Sequence, residues 1–219
     1  MSEPLSIDYY TDILCVWAWV AQRRNEELQV QFGDKVQLNY HYINLFGDVD
    51  HRMNNQWLER GGYKGFADHV REVVQPYDSA PVNKNIWKDV RPKTSANAHL
   101  IFKAVKLIHG VEASGLFARK VRSKFFEECV DIGRQDILLE LVEVENLLTV
   151  ELEKILVDGR AMAALMQDYQ KAQQNNIKGS PSWVLDGGRQ VLYGNVGYRV
   201  LSANVEELLR HPVSEASWC

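Results

Sequence analysis

Cys15 is the residue whose type and position most directly suggest chemistry. The ten residues before it are rich in aromatic and β-branched types, as in a strand, and those after it have a helical pattern. A cysteine at a helix N-terminus faces unpaired backbone N–H groups and the positive end of the helix dipole. This position predicts a lowered pKa and a nucleophilic thiolate. The other interpretation is a buried cysteine that only fills a tight corner.

A second segment of interest is Gly179-Ser-Pro-Ser-Trp-Val184, which leads into another predicted strand. Proline cannot donate to a strand ladder, so Pro181 is expected at the start or the edge of that strand. Ser180-Pro181 is a candidate cis peptide bond, because X-Pro bonds adopt the cis form far more often than other peptide bonds. The segment matters if the fold brings it beside Cys15.

The elements that must position Cys15 are a strand, a helix and a second strand. Residues 5–14 predict the first strand, and residues 17–32 predict a helix that stops at Gly33. Residues 36–43 alternate strictly and predict the second strand. A strand-helix-strand unit implies a right-handed crossover and a parallel pair of strands.

The middle of the chain is predicted to be helical. No convincing strand pattern occurs between Asn54 and Asn176, and helical windows follow one another there. These windows are residues 63–75, 94–109, 112–129, 136–148 and 159–174. Breaks are expected at the prolines and glycines between them, for example at Gly110.

The C-terminal part returns to strands. Residues 182–185 and 190–193 flank Asp186-Gly-Gly-Arg189, which is a good signal for an antiparallel hairpin. Residues 197–210 predict a final helix before Pro212. The order of elements predicts an α/β fold in which a four-stranded mixed sheet is interrupted by a helical insertion.

Composition argues against several functional classes. The chain has 219 residues, 46% of them apolar, which is enough for a sizeable core. A net charge of -4 without a basic patch predicts no nucleic-acid partner. The N-terminus lacks a signal-peptide pattern, and no apolar run is long enough for a membrane span. We therefore expect a cytoplasmic protein without membrane contact.

The cysteines and histidines suggest thiol chemistry and no metal site. Cys15, Cys129 and Cys219 are far apart and odd in number, which suits a reducing compartment. The six histidines form no pair at i, i+4 spacing and have no cysteine at metal-ligand spacing. Any chemistry at the cysteines is therefore expected to be that of a free thiol.

The order of these motifs resembles the DsbA-like thioredoxin-fold oxidoreductases. The resemblance is carried by Cys15-Val-Trp-Ala18 opening a helix, a large helical insertion, and Gly179-Ser-Pro-Ser-Trp-Val184 before a hairpin. It is closest in kind to the cytoplasmic branch, which is related to the 2-hydroxychromene-2-carboxylate isomerases and kappa-class glutathione transferases. The resemblance implies a thioredoxin-like domain from residues 1–50 and 176–219, and an all-helical insertion domain over residues 51–175.

The same resemblance implies roles for individual residues. Cys15 takes the place of the nucleophile, Pro181 that of a cis-proline facing it, and Ser180 that of the residue whose backbone pairs with the substrate. Trp17, in the first turn of the helix, is expected to wall the thiol pocket. In kappa-like enzymes a serine-aspartate pair binds glutathione after the hairpin. Here Asn195 stands near that serine and Val196 replaces the acid, so Asn195 is the remaining predicted substrate contact, although a plain tight turn is an alternative.

Ala18 stands where an oxidoreductase of this kind has its second cysteine, and Cys15 stands where the transferases have serine. A single thiol can attack a disulfide, but an external thiol must then release the mixed disulfide. Glutathione is the expected cosubstrate, and a small thiol or a protein thiol or disulfide is the expected partner. Cys219 is a remote alternative as the resolving thiol.

Three functions remain open at this point. The first is a one-thiol oxidoreductase in which Cys15 exchanges disulfides. The second is a glutathione-dependent isomerase or kappa-like transferase in which Cys15 only orients glutathione. The third is a binding protein that kept the fold and lost the reaction, for which Ala18 is the best support. A homodimer is possible in each case.

Overall fold

The computed structural model describes residues 3–211 and contains one mixed four-stranded sheet. The strands are β1 (Leu5–Thr11), β2 (Val36–Tyr42), β3 (Ser182–Leu185) and β4 (Gln190–Tyr193). Their order across the sheet is β2-β1-β3-β4. β1 pairs with β2 in parallel and with β3 antiparallel, and β3 pairs antiparallel with β4. The predicted fold class and both predicted strand pairings are confirmed.

The helices flank this sheet and fill the stretch of chain between β2 and β3. In chain order they are α1 (Val16–Phe32), α2 (Val49–His51), α3 (Gly62–Val74), α4 (Ala96–Phe126), α5 (Gln135–Val144), α6 (Val150–Val157), α7 (Arg160–Gln174) and α8 (Tyr198–Arg210). A π-helical turn, Arg52–Gln56, continues α2. The predicted helical stretch is confirmed, whereas the exact domain boundaries at residues 50 and 176 stay a prediction.

Some element boundaries differ from those predicted. β1 ends at Thr11 rather than at residue 14, because Asp12 to Leu14 form a turn in which Cys15 N donates to the Asp12 carbonyl oxygen at 3.1 Å. α4 runs through Gly110, but this glycine has a non-helical φ of 87°, so the predicted break is a kink. α5 ends at Val144, earlier than expected, and Asn146 just beyond it has a positive φ of 57°.

The core lies on both faces of the sheet. On one face Ile7, Tyr9 and Trp183 pack against the buried sides of α1 and α8. A larger cluster joins the Asp12-to-Val16 corner to the helical region, and Cys15 itself belongs to it. The corner that carries Cys15 is therefore set by packing against helices far along the chain.

Candidate functional site

Cys15 lies at the junction between β1 and α1, as its N-cap residue. Its carbonyl oxygen accepts hydrogen bonds from the backbone N–H groups of Ala18 and Trp19, both at 3.1 Å. The residue is only 5% exposed. The predicted position at a helix N-terminus is confirmed, and the position is also buried.

The proline loop faces this cysteine directly. The Ser180-Pro181 bond is cis and immediately precedes β3. The Cys15 thiol donates to the Ser180 carbonyl oxygen, with an Sγ–O distance of 3.2 Å. Ser180 Oγ accepts from Asp12 N at 3.1 Å, and the Pro181 carbonyl oxygen accepts from Gly194 N at 2.8 Å. The two segments singled out from the sequence are therefore in contact.

The predicted lowering of the Cys15 pKa is wrong for this state of the molecule. Burial raises the pKa of the thiol, and the negative charge of Asp12 acts in the same direction. Hydrogen bonds with the Ser180 side chain and the backbone at Ala18 and Trp17 act in the opposite direction and are outweighed. The helix N-terminus is present as expected, but the loss of water around the sulfur dominates. Cys15 is therefore a protonated thiol at neutral pH.

Asp12 is a functional candidate that the sequence reasoning missed. Its side chain is completely buried. Oδ1 accepts from Leu14 N at 3.0 Å, and Oδ2 accepts from Leu45 N, Phe46 N and Ser95 Oγ at 3.1, 2.9 and 2.9 Å. The carboxylate thus ties the cysteine turn to the β2–α2 loop and to the start of α4. The only signal for Asp12 in the sequence was its position directly after a strand-like segment and shortly before Cys15.

Arg122 of α4 reaches the same turn from the helical region. Its guanidinium is buried and donates to Thr11 Oγ1 at 2.9 Å and to Gln22 Oε1 at 3.1 Å. Longer contacts of 3.4 Å reach the carbonyl oxygens of Ile13 and Asp12. The guanidinium therefore holds the backbone just before the cysteine. No local pattern linked residue 122 to this corner.

His99 completes the buried polar groups around the turn. Its Nε2 accepts from Ile13 N at 3.1 Å, so the proton of the neutral ring resides on Nδ1, which is buried without a partner. Burial lowers the pKa of His99 to about 4. The imidazole is therefore neutral at pH 7 and acts as a hydrogen-bond acceptor for the turn.

A cavity of about 300 Å³ opens over Cys15 and the proline loop. Trp17 lines it, together with the ring side chains of Trp57, Phe66 and His69. Arg52 and Lys178 also border the cavity. The structure thus brings Cys15, Trp17 and Ser180 to one pocket, while their roles toward a substrate stay predictions.

Asn195 does not line this cavity. Its Oδ1 accepts from Arg24 Nη2 at 2.7 Å, and its Nδ2 donates to the Tyr77 hydroxyl at 2.7 Å. The amide is thus engaged in a surface network between α1 and the segment after α3. The predicted substrate contact at Asn195 gains no support from this geometry and stays a prediction.

The remaining predictions concern other cysteines, metals and membranes. Cys129 is half-buried and unpaired, and Cys219 lies outside the described residues. Within residues 3–211, no group of three or more histidine, cysteine or acidic side chains is placed to hold a metal ion. Over the same residues, no helix is both long and apolar enough to span a membrane.

Comparison with known proteins places this geometry among thioredoxin-fold proteins. A family model described as the DSBA-like thioredoxin domain matches residues 6–206. The ClpXP adapter protein SpxH of Halalkalibacterium halodurans is 26% identical over 187 residues, which are 83% of this chain and 58% of the relative. SpxH of Bacillus subtilis is 22% identical over 182 residues, covering 82% and 58%. The chain thus spans little more than half the length of these curated relatives.

Solved structures share the fold over nearly the whole chain. The cytosolic disulfide reductase DsbM from Pseudomonas aeruginosa has a TM-score of 0.72 at 18% identity, covering 94% of this chain and 99% of DsbM. DsbM with GSH has a TM-score of 0.66 at 17% identity, covering 94% and 100%. A 2-hydroxychromene-2-carboxylate isomerase has a TM-score of 0.69 at 17% identity, covering 97% and 100%. The TM-scores establish a common fold, and at identities this low the likeness extends to the fold alone.

Proposed function

Because the chain belongs to the DSBA-like thioredoxin domain family, we propose that it is a thiol-disulfide oxidoreductase that works through Cys15 alone, with an external thiol such as glutathione. The single observation that carries this proposal is the contact between the Cys15 sulfur and the Ser180 carbonyl oxygen at the cis-proline loop. That loop offers backbone groups to a bound chain beside the reacting sulfur.

The reaction consists of two exchanges. The Cys15 thiolate attacks the glutathione sulfur of a mixed disulfide R–S–S–G, and the S–S electron pair leaves with R–S⁻, which takes up a proton. The resulting Cys15–S–S–G bond has no resolving cysteine three positions along the helix, because Ala18 stands there and is fully buried. A second glutathione thiolate then attacks this bond, which releases oxidised glutathione and restores Cys15. In sum, R–S–S–G and glutathione give R–SH and oxidised glutathione.

Because the pKa of Cys15 is raised, substrate binding must promote the loss of the thiol proton. The free thiol is protonated and bonded to Ser180, so the proton must leave before attack. The N–H groups at Trp17 and Ala18 favour the thiolate and are already in place. A substrate that takes over the Ser180 carbonyl oxygen as its own hydrogen-bond acceptor would free the sulfur from a partner that favours the thiol. Docking and activation are therefore coupled in this proposal.

Glutathione as the second thiol is supported by a structural neighbour. DsbM shares the fold and has been solved with GSH. DsbM is named a cytosolic reductase and SpxH a ClpXP adapter, which supports the proposal that this chain also works in the cytoplasm.

The test is turnover of a peptide–glutathione mixed disulfide with reduced glutathione. We expect activity in the native protein and in Cys129→Ser, which makes the same substitution at the other described thiol, and none in Cys15→Ser. Full activity in Cys15→Ser would overturn the thiol mechanism. It would favour the isomerase or transferase alternative, in which Cys15 only orients glutathione.

A second candidate function is that of an adapter that binds another protein without turnover. The observation favouring it is that the curated relatives are named ClpXP adapter proteins. Ala18 suits this function, because a binding protein needs no resolving thiol. Absence of turnover in the native protein, together with partner binding that is equal in the native protein and in Cys15→Ser, would favour the adapter. An adapter also suits the protein partner expected from the sequence and the homodimer that the sequence left possible.

A further inference from the structure

The charged side chains that border the cavity over Cys15 are all cationic. Two cationic side chains, Arg52 and Lys178, border it, and no carboxylate side chain does. His69 also borders it, but burial lowers the pKa of this histidine, so its ring is neutral at pH 7. The whole chain has a net charge of -4, so this positive site stands against the overall charge.

Arg52 is half-buried and lacks a counter-ion. Its guanidinium lies 4.6 Å from the centre of the Phe46 ring and donates through Nη1 to Gln56 Oε1 at 2.9 Å and to the Leu45 carbonyl oxygen at 3.4 Å. Its Nε is buried and has no hydrogen-bond partner. No carboxylate among residues 3–211 lies within ion-pair distance of it. A partly desolvated cation with a spare donor is costly unless an anion completes it.

The charge of Arg52 is felt at the reacting sulfur. Burial lowers the pKa of Arg52, and negative charge on Cys15 or Asp12 acts in the opposite direction. Lys178 also borders the cavity, two residues before Ser180, and is exposed without an ion-pair partner in the described part of the chain. Two unpaired cations thus border the mouth of the Cys15 pocket from separate elements.

We propose that Arg52, assisted by Lys178, is the anion-recognition site of the Cys15 pocket and selects thiols and disulfides that carry a carboxylate over neutral ones of similar size. This inference rests on the proposed thiol exchange at Cys15. A guanidinium suits a planar carboxylate, which accepts two N–H donors at once, and the hydrogen bonds of Arg52 to other described residues use Nη1 alone. The rings of Trp57 and Phe66 on the same wall pack against the apolar part of the bound thiol.

Two matched aromatic disulfides test this selectivity. 5,5′-Dithiobis(2-nitrobenzoate) carries carboxylates, whereas 2,2′-dithiodipyridine is neutral, and each releases a coloured thiol when Cys15 attacks it. The rate constants are measured for the native protein, with Cys15→Ser supplying the background from the other two thiols. The ratio of the anionic to the neutral rate cancels any change in the exposure of Cys15.

We expect Arg52→Gln to lower this ratio about tenfold or more, as expected for loss of a charge-assisted hydrogen bond. Lys178→Gln lowers it roughly two- to threefold, because an exposed cation is screened by solvent. Lys84→Gln, which removes an exposed cation outside the pocket, leaves it unchanged. Arg52→Lys keeps the charge but not the fork of donors and gives an intermediate ratio, which covers the case in which Arg52→Gln does not fold.

The dependence of the rate on ionic strength provides a second test, made on the native protein. The rate with the anionic reagent falls with ionic strength if local cations attract it, and rises if the net negative charge of the chain dominates. A rise with salt, or an unchanged ratio in Arg52→Gln and Arg52→Lys, overturns the inference while the thiol function stands. Failure of Cys15 to react with either reagent instead overturns the proposed function itself.

Discussion

Asp12 and Asp168 are both buried carboxylates that join the sheet to the helical region, yet they are stabilised in opposite ways. Asp168 of α7 accepts from Lys103 Nζ at 2.7 Å and Tyr42 N at 2.9 Å, and its other oxygen lies 3.0 Å from His41 Nδ1. Hydrogen bonding to His41 and the charge of Lys103 hold the pKa of this carboxyl below its usual value despite burial. The negative charge of Asp168 is thus balanced by the Lys103 ammonium in direct contact with it.

Asp12 has hydrogen-bond donors but, among residues 3–211, no lysine or arginine within ion-pair distance, and Arg52 acts on it only from farther away. Three backbone N–H groups and the Ser95 hydroxyl bind the carboxylate, and His99 Nε2, which belongs to a neutral ring, lies 3.9 Å from Oδ1. Its negative charge therefore reaches the neighbouring thiol and raises the Cys15 pKa. The difference teaches that the two carboxylates serve different ends: Asp168 joins its cations as a structural clamp, whereas Asp12, held by neutral donors, acts on the thiol of Cys15.

Removing the balanced carboxylate should have the largest effect on stability. Asp168→Asn leaves the buried Lys103 ammonium without its counter-ion, so we expect a loss of about 3–5 kcal/mol in the free energy of unfolding. Urea denaturation measures this loss. Glu128→Gln, which breaks an exposed pair with Lys124, should leave the midpoint nearly unchanged. Equal losses in the two variants would show that the Asp168 cluster is no clamp.

An acid titration should distinguish the Asp12 turn from the Asp168 cluster, because the groups in each region titrate in different pH ranges. His99 has a pKa near 4 in the fold, against about 6.5 in an unfolded chain. Between these values the unfolded chain binds the extra proton, so stability falls as pH drops from about 6.5 to 4, by roughly 3 kcal/mol in total. Asp8, which pairs with His41 and Lys171, has a pKa of about 2, so its contribution is lost only between about pH 4 and 2.

His99→Gln can still accept from Ile13 N and does not titrate, so this variant should show a smaller upper step than the native protein, with a remainder from His69, and the same lower step. Asp8→Asn should do the reverse. Unfolding free energies measured by urea denaturation from pH 7 to pH 2 test both variants. A native protein whose stability is flat between pH 6.5 and 4 would contradict the neutral, buried state of His99.

The smallest stability effect, but the most specific chemical one, is expected at Asp12. Asp12→Asn keeps the shape of the side chain but places an amide donor against an N–H group. We expect this to lower the free energy of unfolding by about 1–3 kcal/mol. It also removes the negative charge beside the sulfur, so the Cys15 pKa should fall relative to that of the native protein. The pH profile of iodoacetamide alkylation measures this pKa, which in the native protein should lie above the ordinary thiol value of about 8.5.

Asp168→Asn serves as the matched control for this profile, since it removes another buried carboxylate, one that is not among the main causes of the Cys15 pKa shift. Its alkylation midpoint should equal that of the native protein. The same downward shift in both variants would refute the contrast between the two carboxylates and indicate a general loosening of the fold.

The sequence was sufficient for the parts of the fold that depend on local pattern. Strict alternation in residues 36–43 and the Asp186-to-Arg189 turn signal predicted β2 and the C-terminal hairpin, because each signal lies within one short segment. Gly110 correctly marked the kink of α4. The early end of α5 was not predictable, since the positive φ of Asn146 depends on how the chain turns into α6.

The candidate site was predictable only in its two named segments. Cys15 and Ser180-Pro181 could be paired because the order of elements brings them to one corner. Arg122 and His99 reach that corner from 110 and 86 positions away, with no spacing pattern to announce them. The direction of the Cys15 pKa shift was wrong for the same reason, because burial by the helical region is a tertiary effect.

The central claim is that Cys15 exchanges disulfides as a single thiol, and the most direct measurement is mass spectrometry of the protein after reaction with oxidised glutathione. The account predicts a glutathione adduct on the peptide that contains Cys15, stable until reduced glutathione is added and then released, and absent in Cys15→Ser. An intramolecular disulfide involving Cys15, or a native protein with no adduct at this residue, would contradict it.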